Sequence, residues 1–368
     1  MVDPKARAWK EIDLDSLAYN ACVLQERLAS GCDLMAVVKA DAYGHGAVPV
    51  SKRLELEGVD AFAVACLEEG IALRQAGVEG MILVLGFTSP EVAPMLACWH
   101  LTQTVVDEAH GRALNDAGIP IQVHLALDTG MHRLGVPVED FGALARLYEL
   151  ENLRITGVFS HLCVADSLTQ EDRYYTKKQL ERFYCVVDWL RANGYNPGRI
   201  HIQASEGILN LPPQPCGYAR AGIALYGTAG NVGDGLRPVL SLRTRVACVR
   251  TLAAGERAGY GLAFRAERET RLAVLTIGYA DGLPRSLTEN GGRVLIQGQF
   301  CLMVGRMCMD QLFVDVTGLL SVHSGDIATL IGQDGSRELR VEELAQQCGT
   351  IPNELLSRLG TRLNQVIC

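Results

Sequence analysis

Residues 33–46 read DLMAVVKADAYGHG and place a lysine where an apolar run gives way to a glycine-containing turn. The run at residues 34–38 is wholly apolar, which is typical of a strand buried on both faces. Lys39 follows it directly. An ammonium group there would lose hydration, which lowers its pKa and makes the amine a usable nucleophile. The alternative is a lysine just past a strand end whose side chain reaches back to water.

Apolar runs of the same kind recur up to about residue 227, with helical patterns between them. The eight runs are LMAVVKA, AFAVAC, MILVLG, LTQTVV, QVHLAL, ITGVFSHL, RIHIQAS and ARAGIALYG. The helix candidates include LEEGIALRQAG, EDFGALARLYEL and the long QEDRYYTKKQLERFYCVVDWLRANG. Eight strands joined by helical connections predict a (β/α)8 barrel of the TIM type. An open doubly wound sheet remains the competing architecture, because the periodicity of the apolar runs does not show whether the sheet closes into a barrel.

The pattern changes after about residue 238. Strand-like segments separated by glycine turns follow, among them LSLRTRVACVRTL, RLAVLTIGYADG, GRVLIQGQF, CLMVGRMCMDQLFVDV and GDIATLIG. This pattern predicts a mostly antiparallel β domain. A short helical end is expected around VEELAQQC and NELLSRLGTRL.

Composition limits the classes of function. The chain has 368 residues, is 48% hydrophobic and carries a formal net charge of -8, which argues against nucleic-acid binding as a main activity. The opening MVDPKARAWKEIDLDSL lacks the apolar segment of a signal peptide, and no apolar run approaches the roughly 20 residues that cross a bilayer. The twelve cysteines form no CxxC pair and are interpreted as reduced thiols. We therefore expect a cytoplasmic protein.

Barrel geometry predicts where the chemistry lies. Lys39 would stand at the C-terminal end of the first strand, the face on which barrel enzymes keep their active sites. The loops after strands seven and eight, where such barrels often bind phosphate, contain Ser205 at a helix start and the backbone N–H groups of Gly222 and Ile223. A lysine and a phosphate cradle on one face suggest pyridoxal 5'-phosphate held as a Schiff base.

The sequence resembles the alanine racemase family over nearly its whole length. VVKADAYGHG is similar to the family's cofactor-lysine signature, RAWKEIDLDSL to its opening and DTGMHRLG to its mid-barrel motif. AGYGLAF resembles its tyrosine motif, and VGRMCMDQ its C-terminal-domain motif. The resemblance implies a strand at residues 1–11 that joins the C-terminal domain. It also implies a cofactor-binding barrel at 12–237 and a β-rich domain at 238–368.

The resemblance also assigns the acid–base groups. Lys39 would hold the cofactor and act as one base, and Tyr260 would be the other, because racemisation needs proton transfer on both faces of the Cα. In this family the tyrosine reaches the cofactor of the other subunit together with Met309, so a homodimer with shared active sites is implied. Without the family, Tyr260 is better interpreted as a turn residue and Met309 as packing.

Further roles follow from the same resemblance. Arg220 would face the pyridine nitrogen and keep it uncharged, since an arginine cannot give up its proton. His161 would support Arg220, although alone it could be a satisfied strand-end histidine. Phosphate would be bound by Tyr43, Ser205, Gly222 and Ile223. Arg133 and Tyr279 would line the substrate side with Met309, and Asp310 could equally be structural. No metal site is expected.

Two positions depart from the family pattern. The family usually has a carbamylated lysine two residues before the DTG motif, which orients the motif's arginine, and this chain has Ala126 there. Arg133 therefore lacks that partner and could use Asp128 or a bound anion. Near the C-terminus, beside the substrate and the phosphate, the family usually has a tyrosine where this chain has Asn353. The shorter amide opens space and can hydrogen-bond a hydroxyl, although it could also be a neutral loop variant.

The change at Asn353 resembles the serine racemases of vancomycin-resistant bacteria, whose full chains carry a membrane domain ahead of the catalytic one. The resemblance thus implies a racemase of serine and alanine that makes D-amino acids for peptidoglycan precursors, as the cytoplasmic domain of a cell-membrane protein. The alternatives are an ordinary alanine racemase of cell-wall synthesis, an amino-acid decarboxylase of the same architecture and a non-catalytic pyridoxal-phosphate carrier.

Overall fold

The computed structural model describes residues 6–228 and 235–368, which fall into two compact units. One unit contains Leu17–Ala42 and Ala47–Arg237, and the other contains the chain up to Ser16, Tyr43–Gly46 and Pro238–Cys368. No helix of the described residues combines the length and apolarity needed to cross a membrane.

The strands up to residue 237 alternate with helices. The strands are β1 (Ala8–Ile12), β2 (Asp33–Val37), β3 (Ala61–Val64), β4 (Met81–Val84), β5 (Thr102–Val105), β6 (Ile121–Asp128), β7 (Val136–Pro137), β8 (Leu153–Phe159), β9 (Arg199–His201) and β10 (Tyr218–Ala221). The helices are α1 (Leu14–Gln25), α2 (Ala47–Leu56), α3 (Leu67–Gln75), α4 (Ala93–Cys98), α5 (Glu108–Asp116), α6 (Phe141–Tyr148), α7 (Gln170–Ala192) and α8 (Ser205–Asn210). Short 3-10 turns cover Pro90–Val92 and Ile223–Tyr226.

The first unit is a closed barrel. Its main strands are parallel and run in the order β10-β2-β3-β4-β5-β6-β8-β9, with β7 beside β6. The two ends of this order meet, because the N–H of Gly217 donates to the carbonyl of Ile200 (2.9 Å) and that of Arg220 to Gln203 (3.0 Å). The barrel prediction is therefore confirmed, and the open sheet is wrong. All eight apolar runs contain a strand of the barrel.

The apolar pattern explains the burial of the barrel wall. Each residue of the run at 34–38 exposes 7% or less of its surface, because parallel strands are covered on both faces.

Helix starts are fixed by side chains: Asp107 accepts the N–H of His110 (2.7 Å), and Asp140 accepts that of Ala143 (2.8 Å).

The second unit is built around a mostly antiparallel sheet. Its strands are β1 and β11 (Leu240–Leu252), β12 (Arg257–Ala258), β13 (Phe264–Arg265), β14 (Thr270–Leu275), β15 (Arg293–Ile296), β16 (Gln299–Val304), β17 (Leu312–Asp315), β18 (Ile327–Asp334), β19 (Arg337–Leu339) and β20 (Asn364–Ile367). Helices α9 (Val341–Gln347) and α10 (Pro352–Ser357) and 3-10 turns at Tyr260–Leu262, Tyr279–Asp281 and Arg285–Thr288 complete it. The main sheet has the order β19-β18-β15-β16-β17-β14-β11-β1-β20. The prediction of a mostly β C-terminal domain is confirmed.

The segment Lys39–Gly44 is a single helical turn with the unusual left hand. Ala40, Asp41, Ala42 and Tyr43 have φ of 52–53°, and Gly44 follows at 80°. A left-handed conformation costs an L-residue roughly 1–2 kcal/mol, so the four non-glycine residues store roughly 4–8 kcal/mol together. The surrounding structure must supply that free energy.

Candidate active site

Lys39 follows β2 directly and is half-buried at the C-terminal end of the barrel strands. Burial lowers the pKa of its ammonium group, and the nearby charge of Arg133 lowers it further, while the carboxylate of Glu69 opposes both. Arg220 makes a smaller contribution in the lowering direction. The shift has the direction that the sequence predicts for a desolvated lysine, and it favours the neutral, nucleophilic amine.

Ser205 organises the loops after β9 and β10. Its hydroxyl oxygen accepts the N–H groups of Gly222 (3.0 Å) and Ala224 (3.2 Å), and the side chain is 5% exposed. The structure thus brings Ser205, Gly222 and Ile223 together. The N–H of Gly222 is used within the loop, but the hydroxyl proton of Ser205 remains available to donate to an anion.

Tyr43 lies at the end of the left-handed turn and groups with the second unit. Burial raises the pKa of its phenol to about 12, so it remains a hydrogen-bond donor at neutral pH. This property suits a group that donates to a phosphate oxygen.

Arg220 is almost fully buried in β10, and its guanidinium contacts neutral groups. It donates to the carbonyl of Ser160 (2.7 Å) and shares hydrogen bonds with Nδ1 of His201 (2.7 Å) and Nδ1 of His161 (3.2 Å). Burial lowers its pKa to about 10, still well above neutrality. In the described part of the chain it forms no ion pair, so it presents an uncompensated positive charge at the barrel's end.

Two buried histidines support Arg220, and sequence reasoning identified neither. Because Nδ1 of His201 accepts from the guanidinium, its Nε2 carries the proton and donates to Nδ1 of His124 (2.9 Å). Burial and the charge of Arg220 lower both pKa values, that of His124 to about 3, so both rings are neutral. The only sequence signal for His201 is its place in the run RIHIQAS, as the third of seven residues that end at Ser205.

His161 lies beside Arg220, as the resemblance implies, although its contact is longer than that of His201. Burial lowers its pKa to about 3, with further contributions from the charges of Arg220, Arg133 and Lys39. His161 is therefore a neutral acceptor for Arg220.

Arg133 is exposed, and in the part of the chain that the structure describes it makes no hydrogen bond or ion pair. The suggestion that it uses Asp128 is wrong. That carboxylate instead accepts the backbone N–H groups of Gly130 (3.0 Å) and His132 (2.9 Å) and pairs with the His132 ring (2.8 Å). Ala126 is buried in β6 opposite Phe159.

The remaining predicted residues lie in the second unit. Tyr260 is 68% exposed, between two glycines with positive φ, and Met309 is 53% exposed. The Tyr279 turn packs on the Met309 loop, because the N–H of Tyr279 donates to Cys308 (3.2 Å) and that of Ala280 to Met309 (3.0 Å). The side chains of Tyr260 and Met309 are thus accessible from outside the second unit.

Asp310 and Asn353 complete the set. The Asp310 carboxylate accepts from Arg362 (2.6 Å), which supports the structural interpretation of that residue. Asn353 lies in the first turn of α10 and is half-buried. Within residues 6–228 and 235–368 its amide makes no hydrogen bond, so it can accept or donate one to a ligand. No cluster of three metal-binding side chains occurs in those residues.

Both units match known family models. The alanine racemase N-terminal domain matches residues 12–230, and the alanine racemase C-terminal domain matches residues 239–367. The chain belongs to the alanine racemase family. Members of this family are pyridoxal-phosphate-dependent amino-acid racemases.

Relatives in this family carry several names. An amino-acid racemase of Enterococcus faecalis is 43% identical over 97% of this chain and 51% of its own length. A serine/alanine racemase of Enterococcus gallinarum is 39% identical over 98% of this chain and 51% of its own. The chain therefore spans about half the length of these two curated relatives. An alanine racemase of Geobacter sp. (strain M21) is 40% identical over 96% of both chains.

A solved structure shows the same fold. Alanine racemase from Bacillus anthracis with bound L-Ala-P is 31% identical, with a TM-score of 0.92 over 99% of this chain and 95% of that chain.

The residues of the barrel fit the family's cofactor. Lys39 offers an amine whose pKa is lowered, and Ser205 keeps a hydroxyl proton for a phosphate oxygen. Arg220 offers a fixed positive charge without a carboxylate partner in the described residues.

Proposed function

We propose that this chain racemises serine as well as alanine, with Lys39 and Tyr260 as its two acid–base groups. The observation that carries the choice of serine is Asn353, whose half-buried amide has no hydrogen-bond partner in the described residues. A tyrosine at this position would fill the space that a serine hydroxyl needs. An asparagine leaves that space and offers a donor and an acceptor.

The chain's own residues supply binding and proton transfer. Lys39 would hold pyridoxal phosphate covalently, while Tyr43, Ser205, Gly222, Ile223 and Asn353 would surround its phosphate. When bound, this cofactor withdraws electrons from the substrate Cα and makes its proton acidic. The positive charge of Arg220 moderates that withdrawal, because a guanidinium does not give a proton to the pyridine nitrogen.

Proton transfer requires one group on each face of the Cα. The Nζ of Lys39 serves one face, and the phenol oxygen of Tyr260 serves the other. Arg133, Tyr279 and the backbone N–H of Met309 would bind the substrate's polar groups. The exposure of Tyr260 and Met309 supports a homodimer in which each subunit's second unit completes the barrel site of its partner.

The second candidate is an alanine racemase without useful serine activity. It is favoured by the Geobacter alanine racemase, which matches this chain over 96% of both lengths. The two candidates share every catalytic residue, so they differ only in substrate preference.

The test is the ratio of kcat/KM for L-serine to that for L-alanine. A net hydrogen bond contributes about 0.5–1.5 kcal/mol, and about 1.4 kcal/mol corresponds to a factor of ten. Asn353→Tyr should lower the ratio about tenfold or more, since it removes both the bond and the space. Asn353→Ala keeps the space, so it should lower the ratio less.

An unchanged ratio in both variants would mean that Asn353 does not set specificity, and the protein is then an alanine racemase.

We further propose that a membrane domain precedes this cytoplasmic catalytic part in the full-length protein. The support is the resemblance to membrane-bound serine racemases, together with Enterococcus relatives of about twice the length. The reading frame upstream of the codon for Met1 tests this directly: apolar segments of about 20 residues are expected there, and a stop codon close upstream contradicts the proposal.

A further inference from the structure

The left-handed turn after Lys39 has no cause in its own sequence. Ala40, Asp41, Ala42 and Tyr43 are L-residues that favour the right-handed region, yet all four have φ of 52–53°. The N–H of Ala42 donates to the carbonyl of Val38 (2.8 Å), the residue before Lys39. Contacts from outside the turn must therefore hold it.

Glu69 makes the contact at the start of the turn. One carboxylate oxygen accepts the N–H of Ala40 (2.7 Å), and the other accepts the N–H of Ala65 (2.7 Å). Ala65 directly follows β3, the neighbour of β2, and Glu69 lies in the first turn of α3. The carboxylate thus joins the residue after Lys39 to a rigid part of the barrel through two charge-assisted hydrogen bonds.

Other contacts secure the rest of the turn. The Asp41 carboxylate accepts the N–H of Ala47 (2.7 Å), and the buried ammonium group of Lys10 donates to the carbonyl of Gly44 (2.7 Å). These bonds lie beyond Ala40, so in the part of the chain that the structure describes Glu69 is the side chain that bonds the backbone of Ala40, the residue after Lys39.

We propose that Glu69 is a positioning residue for Lys39, holding the start of the left-handed turn so that the lysine side chain keeps its direction. The proposal rests on the proposed function, in which Lys39 is the amine that holds the cofactor and moves a proton. Glu69 itself touches neither substrate nor cofactor in this proposal, because its two oxygens are used by backbone N–H groups.

The carboxylate of Glu69 also raises the pKa of Lys39. Among the described residues, the charges that act on Lys39 are those of Arg133, Glu69 and Arg220, and the charge of Lys39 acts in turn on His161; Glu69 is the carboxylate in this set. Removing the negative charge of Glu69 lowers the pKa of Lys39 further. The acid limb of kcat, measured in the direction in which Lys39 accepts the proton, should then move to lower pH.

The experiment compares Glu69→Gln and Glu69→Ala with Glu68→Gln in the holoenzyme. Glu68 is an exposed neighbour in the same helical turn and serves as the matched loss of one charge. Amide hydrogen exchange of the peptide at residues 38–46 reads the contact directly. We expect exchange at the Ala40 amide to rise about tenfold or more in Glu69→Ala and less in Glu69→Gln, which keeps one acceptor oxygen.

The effect of Glu69 on Lys39 is measured by kcat and its dependence on pH. The kcat for D-alanine should fall about tenfold in Glu69→Ala and less in Glu69→Gln, with the acid limb shifted to lower pH in both. Glu68→Gln should match the wild type. Glu69→Gln is nearly isosteric, so it keeps the test valid if Glu69→Ala does not fold.

Unchanged exchange and an unchanged acid limb in Glu69→Gln would overturn the proposal, as would equal effects in Glu68→Gln. Failure of the proposed function is seen separately: borohydride would then fix the cofactor to a lysine other than Lys39, whatever the exchange result.

Discussion

Tyr260 and Lys39 would act on opposite faces of one carbon, so their loss should have different effects on the two enantiomers. Tyr260→Phe removes the phenol oxygen that accepts a proton and keeps the ring. We expect solvent deuterium exchange into L-alanine to fall by at least tenfold, with exchange into D-alanine less affected. Tyr174→Phe is a matched control, because Tyr174 is 69% exposed on α7.

Full L-exchange in Tyr260→Phe would refute the assignment of this tyrosine.

This chain has Ala126 where the family usually has a lysine that reacts with carbon dioxide. Bicarbonate should therefore not change the activity of this protein. The buried methyl group offers no amine, and Arg133 makes no ion pair in the described residues. The measurement is kcat/KM with and without bicarbonate, and Ala126→Lys is the comparison that should become responsive. Activation of the natural sequence by bicarbonate would show that the motif is misaligned.

The single residues show what a sequence can indicate and what it cannot. Lys39 and Ser205 could be placed because each follows a recognisable apolar strand. Glu69, His124 and His201 were missed because their roles depend on partners 19 to 77 residues away in the chain. An ordinary glutamate in a helical pattern carries no signal that its oxygens will hold the backbone beside a lysine.

At the scale of elements, the strand and the turn at residues 33–46 were predicted, but the hand of the turn was not. Local propensity favours the right hand at an alanine, and tertiary hydrogen bonds override it here. The eight strands were easier to predict, because each is an apolar run whose burial on both faces does not depend on the details of a partner.

The left hand of the turn makes Ala40 a position where glycine should be tolerated or should stabilise. Glycine avoids the roughly 1–2 kcal/mol cost of positive φ. It also lowers stability by about 0.5–1 kcal/mol, because the unfolded chain has more conformational entropy to lose on folding. Ala40→Gly should thus keep or raise the thermal midpoint. Ala72→Gly, at an exposed position in the right-handed helix α3, should lower stability by about 1 kcal/mol.

If both variants lower the midpoint equally, the positive φ at Ala40 does not describe the protein in solution.

At the scale of the whole molecule, the sequence allowed a barrel followed by a β domain to be predicted, and closure of the barrel is confirmed by the hydrogen bonds between residues 200–203 and 217–220. The sequence could not show which strands pair with β11. In the structure these strands are β1, β14 and β18. The domain boundaries and the roles of the site residues stay predictions.

The proposed homodimer predicts complementation between inactive variants. If one subunit supplies Lys39 and its partner supplies Tyr260, a hybrid of Lys39→Ala and Tyr260→Phe chains contains one site with both residues intact. Mixing the two variants under conditions of subunit exchange should restore up to about a quarter of the wild-type activity, because half of the chains pair as hybrids with one intact site each. Two variants that stay inactive despite proven exchange would place both residues in one subunit.

The residue to which the cofactor is attached gives the most direct test of the role of Lys39. The purified holoenzyme is reduced with borohydride, digested, and its peptides are mapped by mass spectrometry. The chain has six lysines, and among those in the described residues Lys39 alone follows a buried barrel strand. We expect the reduced pyridoxyl group on Lys39, and its recovery on any of the other five lysines would contradict the proposed role of Lys39.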